Sequence, residues 1–237
     1  MKTEILSIND LEALTFAAEV LADGGLIIVY FQGTYAFLCD VDSAEAANQV
    51  FSIKNRPREK GLSLVVDPRY LPDFVDMTHP AFERFPLEKA SELQRQLHSV
   101  GVIYPAGPDA PPDLVQNGTI LNVWTEYPPF RPFARLIELA RAKGLRGFQG
   151  ASTNLSHEDT YSSLSQVLEQ FNGKIPLVLD SDLRLPPERR KSTTLIDLTG
   201  DQPTLIREGS VSAAELQSGL NRVGFGRLLI DGNVKVL

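Results

Sequence analysis

The chain has 237 residues, of which 43% are hydrophobic and 22% are charged, and its formal net charge is −7 at pH 7. A chain of this length and composition can bury one α/β-sized core, while its acidic total argues against a broad basic face that follows a nucleic-acid backbone. The single cysteine, Cys39, excludes an internal disulfide and a cysteine-rich metal site. The first residues contain no apolar leader segment, and no apolar run is long enough for a membrane span. We therefore expect a cytoplasmic protein with no membrane partner.

The first third of the chain predicts two helices and two buried strands. Apolar residues at helical spacing predict a helix over residues 11–22, capped by Asn9 or Asp10, and an alanine-rich helix follows over residues 43–53. The unbroken apolar run at residues 26–30 is typical of a strand buried on both faces, and residues 62–66, a mainly apolar stretch too short for a helix, predict a further strand.

The loop between the second helix and the strand at 62–66 holds four cations within seven residues: Lys54, Arg56, Arg58 and Lys60. Such a cluster at a strand entrance would suit an anionic ligand. The alternative is a solvated surface in which Lys54 and Arg56 complement the dipole at the end of the helix.

The rest of the chain continues the alternation of strands and helices. The patterns predict helices over residues 88–97, 131–143, 162–171 and 212–220, strands over 100–104, 119–124, 177–180, 195–198 and 204–207, and a final hairpin about Asp231-Gly232-Asn233. Seven or eight strands with five or six helices indicate an α/β (α+β) fold with a twisted mixed β-sheet flanked by helices. We expect a single domain over residues 1–237, with a core at about 11–220.

Ser152-Thr153-Asn154 is a small, hydroxyl-rich turn of the kind that lets the backbone approach a ligand closely. These residues could hydrogen bond to a nucleotide, or they could cap a helix. The basic loop at residues 181–191 could likewise cover phosphates or be a solvated hairpin. The sequence has no Walker loop and no dinucleotide-binding glycine pattern, so neither holds any bound nucleotide; it also has no paired-histidine zinc motif, and we assign no metal-binding residue.

Four stretches resemble the YrdC-like family, whose best-known members are threonylcarbamoyl-AMP synthases. Lys54-x-Arg56-Pro57-x-x-Lys60-x-Leu62 is similar to the family's K-x-R-P-x-x-K-P-L, with Gly61 in place of the second proline. Residues 152–156, S-T-N-L-S, are similar to its S-A-N-L-S; residues 191–197 and 206–209 resemble its S-T-V-V-D strand and its I-R-E-G. The similarity spans roughly residues 11–220.

The resemblance implies a YrdC-like fold and an ATP-dependent nucleotidyltransferase that forms a carbamoyl adenylate from threonine and bicarbonate for tRNA threonylcarbamoyladenosine. It implies ATP, Mg²⁺ bound with the nucleotide, a small amino-acid-like substrate, and tRNA or a tRNA-modification complex as a possible partner. The resemblance implies that phosphates and developing charge are contacted by Lys54, Arg56 and Lys60. It implies that the nucleotide is bound by Ser152, Asn154, Ser192 and Arg207, and that the substrate pocket is lined by Tyr35 and Thr34.

The chain also departs from the family pattern. The family's P-T-x-T-x-Y-G-L aligns with Y-F-Q-G-T-Y-A-F at residues 30–37, where only Tyr35 is in register and Thr34 lies one position after the family's second threonine. A W-P-G-P-x-T segment is not recognisable at residues 94–99, and Trp124 stands where the family has an arginine. These changes leave open a diverged nucleotide- or RNA-binding protein with an altered substrate or no synthase activity.

Overall fold

A computed structural model describes residues 2–126, 130–154 and 161–236, with side chains up to residue 230. In these ranges the helices are α1 (Leu11–Ala22), α2 (Ala44–Lys54), α3 (Ala81–Arg84), α4 (Leu87–Gln96), α5 (Arg131–Ala142), α6 (Leu164–Phe171) and α7 (Ala213–Val223). The strands are β1 (Glu4–Ser7), β2 (Ile27–Phe31), β3 (Thr34–Asp40), β4 (Ser63–Val65), β5 (Val100–Pro105), β6 (Thr119–Trp124), β7 (Phe148–Ser152), β8 (Leu177–Asp180), β9 (Thr194–Asp197), β10 (Thr204–Glu208) and β11 (Leu229–Val236).

All eleven of these strands belong to one mixed sheet with the order β1-β8-β2-β3-β7-β4-β6-β5-β9-β10-β11. The sheet contains parallel pairs, such as β2 with β8 and β4 with β6, and antiparallel pairs, such as β2 with β3 and β3 with β7. The predicted class, a twisted mixed sheet flanked by helices, is confirmed. The predicted number of strands was too low, because β1 has only four residues and β7 reads Phe-Gln-Gly-Ala-Ser, with little strand propensity.

The predicted C-terminal hairpin is wrong. Strand β11 runs parallel to β10 as one strand, and Leu229 pairs with Thr204 while Val236 pairs with Glu208. The register shifts between the pairs Leu205–Ile230 and Arg207–Lys235. The Asp-Gly-Asn turn signal lies inside this irregularity, so it produces a bulge in a continuing strand instead of a chain reversal.

Helix α1 has the predicted bounds, and its N-terminus shows why. The Asp10 side chain accepts a hydrogen bond from the Glu12 amide at 2.9 Å, which satisfies one of the amides at the helix start. None of the helices described is long and apolar enough to cross a bilayer.

Helix α5 anchors an aromatic core beneath the centre of the sheet. Its buried stripe, Phe133, Leu136, Ile137 and Ala140, is the one that helical spacing predicts. The Phe133 ring lies 4.4 Å from that of Phe31, 5.9 Å from Trp124 and 6.2 Å from Phe148, measured between centroids. This helix therefore joins strands β2, β6 and β7 through one side chain.

We expect Phe133→Ala to lower the free energy of unfolding by about 3–5 kcal/mol, because it removes a fully buried ring and leaves a cavity among three aromatic neighbours. Urea denaturation followed by circular dichroism measures the change. Phe16→Ala is the matched control, since the Phe16 side chain on α1 is 39% exposed and its loss should cost far less. Equal losses for the two variants would contradict the central role of Phe133.

Candidate functional site

A cavity of about 250 Å³ lies on one face of the sheet, over its middle strands. Because side chains alternate across a strand, residues two apart line the same face, as Leu121 and Val123 of β6 do. The polar part of the lining comes from the β2–β3 hairpin, the loop after α2, the loop before β6, strands β4, β7 and β10, and the two residues before β9: Gln32, Thr34, Arg56, Lys60, Ser63, Gln116, Ser152, Ser192, Thr193 and Arg207.

Strand β3 presents Thr34 to the cavity and turns Tyr35 away from it. Thr34 lines the cavity together with Ala36 and Leu38, whereas the Tyr35 ring lies in the core and its hydroxyl donates to Asp180 Oδ1 at 2.5 Å. Burial, followed by this hydrogen bond, raises the pKa of Tyr35 well above its usual range. Of the two residues assigned to the substrate pocket, the structure brings only Thr34 to the cavity.

The basic loop at residues 181–191 is fastened to the fold by its own arginines. Arg184 pairs with Asp180 at 2.8 Å, and Arg189 pairs with Glu215 at 3.2 Å. None of the loop's described side chains lines the cavity. The idea that this loop covers bound phosphates therefore has no support in its described contacts.

In the cationic loop the Arg56 side chain bends back and hydrogen bonds to the backbone of the same loop. The Arg56 guanidinium donates to the Gly61 carbonyl at 2.8 Å and to the Lys60 carbonyl at 2.9 Å, and both Arg56 and Lys60 line the cavity. The turn starts where α2 ends, because Asn55 adopts the left-handed conformation with φ 46°. The loop thus holds one half-buried and one exposed cation at the same opening.

Gly61 gives this loop its shape. Its backbone has φ 51° and ψ −179°, a conformation that side-chain-bearing residues avoid and that proline, fixed near φ −65°, cannot reach. A Cβ atom at this position would lie 2.6 Å from Gln116 Nε2. The loop conformation seen here therefore requires the glycine that stands where the family has proline. In this conformation the carbonyls of Lys60 and Gly61 face Arg56.

Two guanidinium groups face the cavity without carboxylate partners among the described residues. Arg207 donates from Nε and Nη2 to the Thr193 carbonyl at 3.0 and 2.8 Å, as Arg56 does to carbonyls of its own loop. Burial lowers the pKa of both groups, and the positive charge of Arg56 lowers that of Arg207 further. Two like charges held close together in a half-buried cavity favour an anionic ligand.

Lys54 lies behind the cavity wall, not in its lining. Its side chain is buried, with 2% of the residue exposed, and its ammonium donates to the backbone carbonyls of Ser152 and Asn154. Thr153 is held in turn, because its amide and hydroxyl donate to the Tyr35 carbonyl at 2.9 and 3.1 Å. The last two residues of the S-T-N-L-S stretch, at 155 and 156, lie outside the described residues.

The structure brings together most of the residues that the sequence assigned to a site. Those that line the cavity are Thr34, Arg56, Lys60, Ser152, Ser192 and Arg207. Lys54 and Asn154 stand directly behind Ser152, whose hydroxyl donates to Asn154 Oδ1. The sequence analysis missed Gln32, Ser63 and Gln116. The signal for Gln32 was present, since Gln32-Gly33 is a two-residue turn between apolar runs, which favours a hairpin.

No carboxylate lines the cavity, and no cluster of three or more potential metal ligands is found among the described residues. Mg²⁺ sites in proteins usually include one or two carboxylate ligands. The residues of this cavity supply none, so they do not fit a protein-held Mg²⁺ ion.

A family model described as Telomere recombination, which groups Sua5, YciO and YrdC, matches residues 19–209 of the chain. The chain is 27% identical over 178 residues to a threonylcarbamoyl-AMP synthase of Pseudoalteromonas translucida, covering 74% of this chain and 89% of that protein. It is 24% identical over 235 residues to a threonylcarbamoyl-AMP synthase of Bacillus subtilis, covering 98% of this chain but 63% of the longer relative.

Among solved structures, P. abyssi Sua5 in complex with L-threonine superposes with a TM-score of 0.75 at 21% sequence identity. The superposition covers 95% of this chain and 62% of that structure. At this identity the similarity concerns the fold, and it confirms the fold that the sequence motifs implied.

We expect Gly61→Ala to destabilise the protein by about 1–3 kcal/mol and to displace the Arg56 side chain, because the added Cβ is strained and meets Gln116. Gly118→Ala is the matched control: Gly118 also has a positive φ, 77°, but a Cβ there has nothing within 4 Å. Urea denaturation of both variants measures the difference. A Gly61→Ala variant no less stable than Gly118→Ala would contradict the steric argument.

Proposed function

The chain belongs to the Sua5/YciO/YrdC family, and from that membership and from its cavity we propose that it is a threonylcarbamoyl-AMP synthase. In this reaction the threonine amine and bicarbonate form a carbamate with loss of water, and a carbamate oxygen attacks the α-phosphorus of ATP. The bond from that phosphorus to the bridging oxygen breaks, pyrophosphate leaves, and a carbamoyl adenylate remains.

The observation that carries the proposal is the charge of the cavity. Arg56, Lys60 and Arg207 line it, and no carboxylate among the described residues neutralises them there. A protein with a net charge of −7 gathers three cations at one opening, which is an arrangement suited to a ligand with several negative charges. A triphosphate has that property.

We assign roles from these positions. Arg56 and Arg207, the half-buried pair, contact the phosphates and stabilise the charge that develops as the α-phosphorus is attacked; exposed Lys60 holds the outer phosphates at the rim. Ser152 and Ser192 hydrogen bond to the nucleotide, with Asn154 behind Ser152, and Thr34 faces the amino acid. Lys54 holds the Ser152–Asn154 turn in place through its carbonyl contacts.

Further parts of the proposal rest on the family alone. Mg²⁺ would accompany the triphosphate as its counterion, and we assign it no protein ligand. The adenylate would supply threonylcarbamoyladenosine formation in tRNA, and on that ground we propose a cytoplasmic location and tRNA or a tRNA-modification complex as the partner.

The test is pyrophosphate release from ATP, Mg²⁺ and bicarbonate, measured with and without threonine on the purified protein and paired with ATP-binding calorimetry. We expect release that requires both threonine and bicarbonate. ATP binding without release for any of the common amino acids would instead identify a nucleotide-binding relative without synthase activity, and absence of ATP binding would refute the phosphate assignment.

We expect Arg56→Ala to lower turnover by about 10²–10³-fold, because the variant loses a cation aimed at developing negative charge. Arg58→Ala is the matched control, since Arg58 belongs to the same loop but pairs with Asp113 at 3.1 Å on the surface and does not line the cavity. Steady-state pyrophosphate release measures both, with thermal unfolding as a check on folding. Turnover by Arg56→Ala equal to that of Arg58→Ala would remove the assignment.

A further inference from the structure

Gln32 lies where the β2–β3 hairpin turns, and it is a polar side chain in an almost fully buried position. The residue is 1% exposed and contributes to the lining of the cavity. Its backbone adopts φ 54°, and Gly33 follows with φ 89°, so the two form the central pair of a two-residue hairpin turn. This turn directs the Gln32 side chain inward, towards strands β6 and β9.

The contacts of the carboxamide fix its orientation. Its Nε2 donates to the Trp124 carbonyl at 3.1 Å, and that oxygen can only accept. Its Oε1 accepts from the Thr193 hydroxyl at 3.1 Å and from the Ser99 hydroxyl at 3.2 Å. The hydroxyls of Ser99 and Thr193 are also 3.3 Å apart, which closes a small buried network.

Thr193 connects this network to the charge of the cavity. Its hydroxyl donates to Gln32, while its carbonyl accepts both hydrogen bonds that the Arg207 guanidinium makes. The side chain of Thr193 thus attaches the start of strand β9 to Gln32. The backbone carbonyl of the same residue holds Arg207. A shift of Thr193 would move Arg207 and its neighbour Ser192 together.

We propose that Gln32 is a positioning residue that sets the Arg207 guanidinium in the cavity by anchoring Thr193. This rests on the proposed function, because it takes Arg207 as a phosphate contact. The residue stands where the family's P-T-x-T segment lies and has no counterpart among that segment's hydroxyls. Its carboxamide, which accepts from two hydroxyls, organises this corner of the cavity.

The test is Gln32→Met, which keeps the length of the side chain and removes all three hydrogen bonds. We expect the KM for ATP and the dissociation constant of ATP to rise about tenfold or more, and the KM for threonine to change by less than threefold, because Arg207 contacts the nucleotide. Trp124, the only tryptophan of the chain, should keep its emission maximum, which reports that the surrounding core remains buried.

Gln94→Met is the matched control. Gln94 is also fully buried, donates to the Asn122 carbonyl at 3.1 Å and accepts from the Tyr104 hydroxyl at 3.3 Å, but does not line the cavity. A purely structural role for Gln32 predicts equal behaviour of the two variants. An ATP KM within twofold of the wild type for Gln32→Met, or an equal rise for Gln94→Met, overturns the inference.

A second variant covers the case in which Gln32→Met does not fold. Thr193→Val keeps the size of the side chain and the carbonyl that accepts from Arg207, but it removes the hydroxyl that donates to Gln32. We expect the same selective rise in the KM for ATP, and an unchanged value overturns the inference. If the wild-type protein itself binds no ATP, the proposed function fails first and this inference fails with it; ATP binding by the wild type and by both variants with unaltered affinity refutes the inference alone.

Discussion

The arrangement of the site depends on one buried ammonium group. Lys54 ends helix α2, and its side chain reaches the carbonyls of Ser152 and Asn154, almost one hundred positions further along the chain. A buried charge is tolerated only when hydrogen bonds replace its lost hydration, and the backbone carbonyls of Ser152 and Asn154 supply two of these. The contact fixes the distance between the cationic loop and the hydroxyl-rich turn, so it defines two walls of the cavity.

The two arginines that line the cavity are also held by carbonyl oxygens, and neither pairs with a carboxylate among the described residues. Arg56 is held by the carbonyls of Lys60 and Gly61, and Arg207 by that of Thr193. A carboxylate would orient a guanidinium equally well, but it would also neutralise the charge that a phosphate needs. Elsewhere in the described chain many arginines pair with carboxylates, as Arg146 does with Asp42 at 2.7 Å. The arginines of the cavity therefore keep a charge that is available to an anionic ligand, unlike the surface arginines that pair with carboxylates.

Local sequence patterns predicted the elements well wherever periodicity decided the outcome. Helix α1 and strands β6 and β8 have the predicted bounds, and the motifs led to six of the residues that line the cavity. The failures have a common cause, which is that pairing partners are remote. Strand β7 is a strand because β3 and β4 pair with it on either side, and the turn signal at 231–233 became a bulge because β10 was available as a parallel partner. Neither pairing can be predicted from the residues of the strand itself, because both partners lie elsewhere in the chain.

The β2–β3 hairpin shows how a short turn changes which side chains reach a site. The resemblance assigned both Thr34 and Tyr35 to the substrate pocket, but adjacent residues of a strand point to opposite faces, and only Thr34 lines the cavity. With Gln32-Gly33 as the turn, strand β3 begins at Thr34, which faces the cavity, and Tyr35 joins the core beside Asp180. Gln32 then occupies the corner between β6 and β9. Two residues at a turn therefore decide both what lines the cavity and what supports its lining, which explains how the chain can lose the family's hydroxyl pattern and retain the cationic opening.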